Sequence, residues 1–253
     1  MRKLFGGTDK GRQRKANQDA FICGKISDDM VYCVLCDGMG GENGGGIASE
    51  TAISYVSGAL ARELKEGMSE LSVKSVLESA FAGANALIYE HAQQDKSLSG
   101  MGTTMIIAVV ESNNVYIAFV GDSRVYISSG NACRQVTKDH TVVQMLVDIG
   151  EISEEDARVH PKRHFITRAV GVAKDVDMDF LTEKLADTES VLLCSDGLHT
   201  YLYEPGEDAN ALIDECIEKS KVDSLISFAN AKGGSDNITA IIIAPTENKT
   251  LLN

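Results

Sequence analysis

The tightest constraint in this sequence is a recurring junction, in which a short apolar run stops at an aspartate. Asp37 ends VYCVLCDG, Asp122 ends VYIAFVGDSR and Asp196 ends VLLCSDG, while Asp236 opens the last such run in GGSDNIT. Asp19, in NQDA, enters the first strand region. Runs rich in Val and Ile and bounded by Gly, Asn or Asp predict strands over 30–36, 103–110, 114–120, 124–128, 190–194 and 238–244. An aspartate at the end of such a run sits at the exposed rim of a sheet.

Apolar positions recurring at three- and four-residue steps predict helices over 45–64, 72–94, 141–149, 154–160, 208–220 and 222–232. In the second of these, Val73, Leu77, Ala80, Phe81, Ala84 and Ile88 belong to one apolar stripe. Two long helices precede the central strands and two more separate the last pair. Strand runs followed by helix runs favour an α+β layered architecture over a parallel α/β sheet. No linker of biased composition divides the 253 residues, so residues 1–253 read as a single domain.

Lys and Arg total 24 against 37 Asp and Glu, a formal net charge of -13. That field repels a phosphate backbone and argues against nucleic-acid binding. The opening MRKLFGG turns polar at once and forms no apolar signal core. The longest apolar stretches, 105–110 and 240–244, fall far short of the roughly 20 residues a bilayer span needs. The expectation is a soluble, cytoplasmic monomer with no membrane insertion. The cysteines at 23, 33, 36, 133, 194 and 216 lie mostly inside apolar runs and read as reduced and structural. Cys33 and Cys36 form a C-x-x-C, but on a strand their side chains point to opposite faces, which disfavours zinc or redox use of that pair.

A half-buried carboxylate costs several kcal/mol unless a cation or donor accompanies it. A convergent aspartate set without His therefore points to a hard ion, Mg²⁺ or Mn²⁺, between the oxygens. No His stands in a spacing such as H-E-x-x-H, which makes a zinc hydrolase a poor fit. Asp-Gly is also ordinary turn chemistry, so the residues alone leave two readings open: turn residues, or a divalent-metal enzyme. Three other motifs drop out. No cysteine has Arg six residues on, GGTDKGRQ lacks the Lys and Ser or Thr of a phosphate loop, and Phe180 stands where a calcium loop around Asp175, Asp177 and Asp179 needs Gly. The last stretch reads as a strand with one acidic face.

Seven segments occur in order: Arg14-x-x-Asn17-Gln18-Asp19, Asp37-Gly38-Met39-Gly40-Gly41, Gly102-Thr103-Thr104, Gly121-Asp122-Ser123-Arg124, Thr167-Arg168-Ala169-Val170-Gly171, Ser195-Asp196-Gly197 and Gly234-Ser235-Asp236-Asn237. From about Gly6 to Pro245 the chain resembles the bacterial branch of the PPM, or protein phosphatase 2C, family. That resemblance implies a four-layer αββα sandwich, two antiparallel β-sheets flanked by helix pairs, and hydrolysis of phosphoserine and phosphothreonine on proteins. It implies two Mn²⁺ or Mg²⁺ ions and a third, weaker one. By motif position, Asp37 would bridge the pair, Asp196 and Asp236 would hold one ion, and the Gly38 carbonyl the other. Asp19 falls at an acidic ligand or water-mediated anchor, Asp122 joins Asp196 at the third ion, and Arg14 matches the phosphate-binding arginine.

The resemblance further implies that hydroxide bridging the ions attacks phosphorus directly, with Asp37 and Arg14 as the catalytic residues and a flap over 138–171 beside the site. The partners implied are phosphoprotein substrates and a Ser/Thr kinase that the enzyme opposes. Two residues depart from the pattern: Gln18 replaces a frequent Glu, and Met39 stands where animal relatives carry a His proposed as general acid. Two alternatives share the resemblance. A phosphoprotein-binding pseudophosphatase predicts lost metal aspartates, and none is missing; a dedicated phosphatase for anti-sigma-factor antagonists fits the GDSR and GGSDN segments less well.

Overall fold

The computed structural model describes residues 1–129, 132–202 and 209–246. The chain opens with β1 (Arg2–Asp9), β2 (Asp19–Lys25) and β3 (Met30–Met39), then forms α1 (Gly41–Glu63) and α2 (Glu70–Gln94). Strands resume with β4 (Gly102–Thr103), β5 (Met105–Glu111), β6 (Asn114–Val120), β7 (Arg124–Ser128) and β8 (Cys133–Gln135). The short helices α3 (Val142–Asp148) and α4 (Glu154–Val159) precede β9 (Asp179–Lys184) and β10 (Ser190–Cys194). Three helices, α5 (Asp196–Leu202), α6 (Ala209–Lys219) and α7 (Asp223–Ala231), lead to β11 (Ile238–Pro245).

Two antiparallel sheets result, one ordered β1-β11-β10-β7-β8 and the other β2-β3-β5-β6-β9, with β4 paired to β3. Side-chain alternation along β3 explains the layering. Val31, Cys33 and Leu35 enter a cluster between the sheets with Ile106, Ile117, Leu193 and Ile241. Met30, Tyr32, Val34 and Cys36 enter a second cluster, under Ala52, Leu60, Leu77 and Phe81 of α1 and α2. A third cluster packs Leu192, Ala240 and Ile242 against Leu198, Ile213 and Leu225 of α5, α6 and α7. Strands buried on both faces need apolar residues at every position, which is why these runs read as continuous rather than alternating. The layers are helices, sheet, sheet, helices, an α+β sandwich.

The strands over 114–120, 124–128 and 190–194 have the expected bounds. Elsewhere the structure differs. The run expected over 103–110 breaks at Thr104, whose backbone N–H donates to the Asp37 carbonyl instead of continuing a ladder. Asp37 lies within β3, and Asp196 is the first residue of α5 rather than a turn residue. Asp179 begins β9, but Asp175 and Asp177 precede it, so the acidic-faced strand is shorter than expected. The helix expected over 208–220 runs from Ala209, Asp208 lying outside the described residues. β1 was hidden by Gly6 and Gly7, which lack the side chains that signal a strand. A Cβ at Gly6 would fall 2.4 Å from the Phe21 ring, and one at Gly7 would fall 2.7 Å from Val222, so only glycine leaves room for those side chains.

Among the described residues no helix is long and apolar enough to cross a membrane. Leu35, fully buried between the sheets, tests the layering. Leu35→Ala should lower the unfolding free energy in urea by about 2–5 kcal/mol. Leu71→Ala, at a position 76% exposed on α2, should stay within about 0.5 kcal/mol.

Candidate metal centre

Asp19 and Asp37 are direct cross-strand partners on β2 and β3. The Asp19 side chain is buried, and its Oδ2 accepts hydrogen bonds from Thr239 Oγ1 at 2.6 Å and Ser195 Oγ at 2.8 Å. Its Oδ1, equally buried, has no hydrogen-bond partner. Asp37 is half-buried, and its backbone is clamped from both sides. Its N–H donates to Thr104 Oγ1 at 3.0 Å, while its carbonyl accepts from Thr104 N at 2.8 Å and Thr103 Oγ1 at 2.9 Å. At Gly38 the end of β3 meets the start of α1 so closely that a Cβ would lie 2.1 Å from the Gly45 carbonyl oxygen. Any other residue there would push α1 away from the carboxylates.

Asp196 and Asp236 come from the other sheet. Asp196 opens α5 after a single residue beyond the end of β10, where the helix N-terminus favours a negative side chain. Asp236 precedes β11, and its Oδ1 accepts the Asn237 N–H at 2.8 Å. The Asn237 side chain knits this segment to the N-terminal loop. It accepts from Gln18 N at 2.9 Å and donates to the carbonyls of Lys10 and Ala16 at 2.8 and 2.9 Å. The same loop delivers Arg14, half-exposed at the rim, whose Nη2 donates to Asp236 Oδ2 at 2.5 Å. Gln18, standing in for a carboxylate, donates through Nε2 to the Gly41 carbonyl at 3.0 Å.

Asp122 is buried in the turn between β6 and β7. Two buried histidines, not singled out from the sequence, hold its backbone. His140 Nδ1 accepts the Gly121 N–H at 3.0 Å, and His199 Nε2 lies 3.0 Å from the Asp122 carbonyl. Burial lowers the pKa of both imidazoles, and pulls His199 down to about 4. Next to Asp122, Arg124 grips Asp139 with Nε at 2.9 Å and Nη2 at 2.7 Å, a bidentate pair that fastens the segment 138–171 to the sheet. Arg168 fastens its far end through Asp179 Oδ1 at 2.7 Å, and His164 brings Nδ1 within 3.7 Å of Asp196 Oδ2.

The electrostatics show that the five aspartates share one neighbourhood. Burial pushes the Asp37 carboxyl well above the ordinary carboxylate range, and Asp19, Asp196, Asp122 and Asp236 each push it further. Asp19 is raised to about 6 by burial with help from Asp196, against the two hydroxyl donors. Burial and Asp196 likewise raise Asp122 and Asp236. Asp196 alone goes down: burial opposes its charge, but His164, His199 and Arg14 outweigh that opposition. Among the described residues no three His, Cys, Asp or Glu side chains stand in a finished ion cage. The donor set nevertheless fits hard cations. It is all oxygen, charged, and leaves Asp19 Oδ1 buried without a donor, an arrangement that a divalent ion satisfies and protein groups do not.

Comparison with known proteins bears on the same residues. Residues 6–237 match the protein phosphatase 2C family. The serine/threonine phosphatase stp of Listeria welshimeri is 36% identical over 236 residues, covering 93% of either chain. The protein phosphatase PhpP of Streptococcus pneumoniae is 32% identical over 245 residues, covering 95% of this chain and 96% of its own. The crystal structure of the serine/threonine phosphatase Stp1 from Staphylococcus aureus superposes with a TM-score of 0.87 at 32% identity, covering 98% of this chain and 96% of that one. With the match spanning both sheets and every one of the gathered aspartates, the chain belongs to the protein phosphatase 2C family and is a protein serine/threonine phosphatase.

Proposed function

We propose that this enzyme removes phosphate from protein serine and threonine by direct attack of hydroxide on phosphorus, opposing a Ser/Thr kinase in the cytoplasm. The observation that carries the reading is the set of carboxylates driven up in pKa by burial and by one another. Such a set is unfavourable by itself and becomes favourable around cations. Asp37 would bridge two Mn²⁺ or Mg²⁺ ions, Asp196 and Asp236 would hold one, and the Gly38 carbonyl the other. Asp19 would anchor the pair, with Asp122 and Asp196 at a third, weaker ion. Bound there, the ions supply water that is deprotonated at neutral pH and neutralise phosphoryl charge, so no phosphoenzyme is needed.

The chain's own groups then do the positioning. Arg14 sits at the open rim on a short tether to Asp236, and its planar fork can span two phosphoryl oxygens as charge spreads over them. Thr103 and Thr104 hold the Asp37 backbone, and Ser195 and Thr239 turn Asp19 so that Oδ1 faces away from their hydroxyls. Met39 has no proton to give, so the leaving alkoxide takes its proton from water at the rim. The segment 138–171 serves as a flap of this single domain. From Arg158 to Gly171 it carries Arg158, Lys162, Arg163 and Arg168 with no acidic residue. In a chain of net charge -13 that stretch gives an anionic phosphoprotein an attractive approach.

Hydrolysis of a phosphothreonine peptide should require Mn²⁺ or Mg²⁺ and vanish in EDTA, as followed by phosphate release. Asp37→Asn should lower kcat/KM by about 100-fold or more, and full activity in that variant would refute the bridging role. Arg14→Ala should lower kcat/KM by roughly 10- to 100-fold, since one charge-assisted pair of hydrogen bonds is worth about 1.5–3 kcal/mol.

The same carboxylate also predicts a stability effect of opposite sign. Because folding raises the Asp37 pKa, its favourable contribution is present below the unfolded value near 4 and is lost as pH rises through the folded value. In chelator-treated protein at about pH 7.5, Asp37→Asn should therefore raise Tm by about 2–6 °C, the equivalent of roughly 1–2 kcal/mol. Near pH 4 the two proteins should melt together. A variant less stable than the parent at the higher pH would show that Asp37 is not an uncompensated charge.

A further inference from the structure

We propose that Cys23 and Cys33 are a reactive thiol pair that closes a disulfide between β2 and β3 when the protein meets hydrogen peroxide. The two residues are direct partners in the antiparallel ladder, and their sulfurs lie 3.1 Å apart. Opposed residues in such a ladder have Cα atoms about 4.5 or 5.5 Å apart, inside the range a disulfide spans, and the sulfurs need close only to about 2.05 Å. The C-x-x-C visible in the sequence cannot do this, because Cys33 faces the core between the sheets and Cys36 faces the helices. The spatial pair is separated by ten residues and is joined by the hairpin, not by the motif.

The two thiols have different surroundings, and these assign their roles. Cys23 is half-buried on β2, the edge strand of its sheet, where a small uncharged oxidant can reach it. Cys33 is fully buried, and burial pushes its thiol far up, so it is a poor first nucleophile. Cys23 as thiolate attacks one peroxide oxygen, the O–O bond breaks, and the second oxygen leaves as hydroxide that takes a proton to become water. The Cys33 sulfur then displaces the sulfenic hydroxyl from Cys23, its own proton leaving with that oxygen as the second water. Two thiols are oxidised by two electrons and one peroxide is reduced to two waters. The new bond lies four positions along the ladder from the Asp19 and Asp37 pair. It cross-links the two strands that carry those carboxylates.

The test uses the full chain, treated with hydrogen peroxide, alkylated and mapped by non-reducing mass spectrometry. The expected product is one intramolecular bridge joining the peptides of Cys23 and Cys33, with a mass loss of two hydrogens, reversed by dithiothreitol. Cys23→Ser should abolish the bridge, and Cys36→Ser should leave it intact. The parent protein's own peptide map decides the matter if a variant fails to fold. A map in which Cys23 ends as sulfinic acid or an intermolecular disulfide, while Cys33 remains alkylatable once the protein is unfolded, overturns the proposal. Because the readout is a covalent map, it stands or falls separately from the metal-dependent activity.

Discussion

Two ionised carboxylates facing each other across neighbouring strands repel, and the repulsion strengthens as water is removed from around them. Asp19 and Asp37 are held in that relation by the β2–β3 register, and the second sheet brings Asp196 and Asp236 to the same rim. The sandwich therefore works against the electrostatics of its own edge. What makes this tenable is the apolar mass behind it: three separate clusters, one between the sheets and one under each helix layer, leave most strand residues with both faces buried. Burial on that scale is stabilisation enough to hold a few carboxylates in an unfavourable arrangement at the margin.

Polar side chains near the rim divide into those that hold the carboxylates and those that hold the backbone beneath them. Ser195 and Thr239 belong to the first kind, both donating to the same Asp19 oxygen. Their choice of Oδ2 is what leaves Oδ1 free of protein donors. Thr103, Thr104 and Asn237 belong to the second, fixing where β3 and the 234–237 segment end. Position in such a site is set by backbone bonds, so that a side chain with few rotamers suffices to aim an oxygen.

The sequence made the central strands and the principal helices legible for a simple reason: segments buried on two faces, or along one stripe, must be apolar in a readable pattern. The aspartates were legible as strand-end residues, yet their convergence was not, since spacing along a chain carries no information about which sheet edges coincide. The ordered motifs supplied that step. What stayed hidden were residues whose role depends on contacts distant in sequence. Gly6 and Gly7 gave no strand signal because the side chains that fill their place come from Phe21 and Val222. His140 and His199 looked ordinary because a histidine that binds a backbone amide or carbonyl has no spacing signature. Cys23 and Cys33 were masked by the nearer Cys36, which the pleat turns to the other face.

The two buried histidines hold the turn that carries Asp122. His140 accepts the Gly121 N–H at Nδ1, so its proton resides on Nε2, and His199 must donate from Nε2 to reach the Asp122 carbonyl. Accepting at Nδ1 requires a neutral ring at His140, whereas His199 donates from Nε2 in either form and burial pulls its pKa down to about 4. The turn bearing Asp122 is held through backbone bonds to both rings, with Arg124 beside it paired to Asp139. Asp122 thus keeps the elevated pKa that burial and Asp196 give it. Arg14 contributes its positive charge from the half-exposed rim, paired to Asp236. The fold's own cationic groups meet the carboxylates of the second sheet, Arg14 at Asp236 and His164 at Asp196, while Asp19 takes its donors from two hydroxyls.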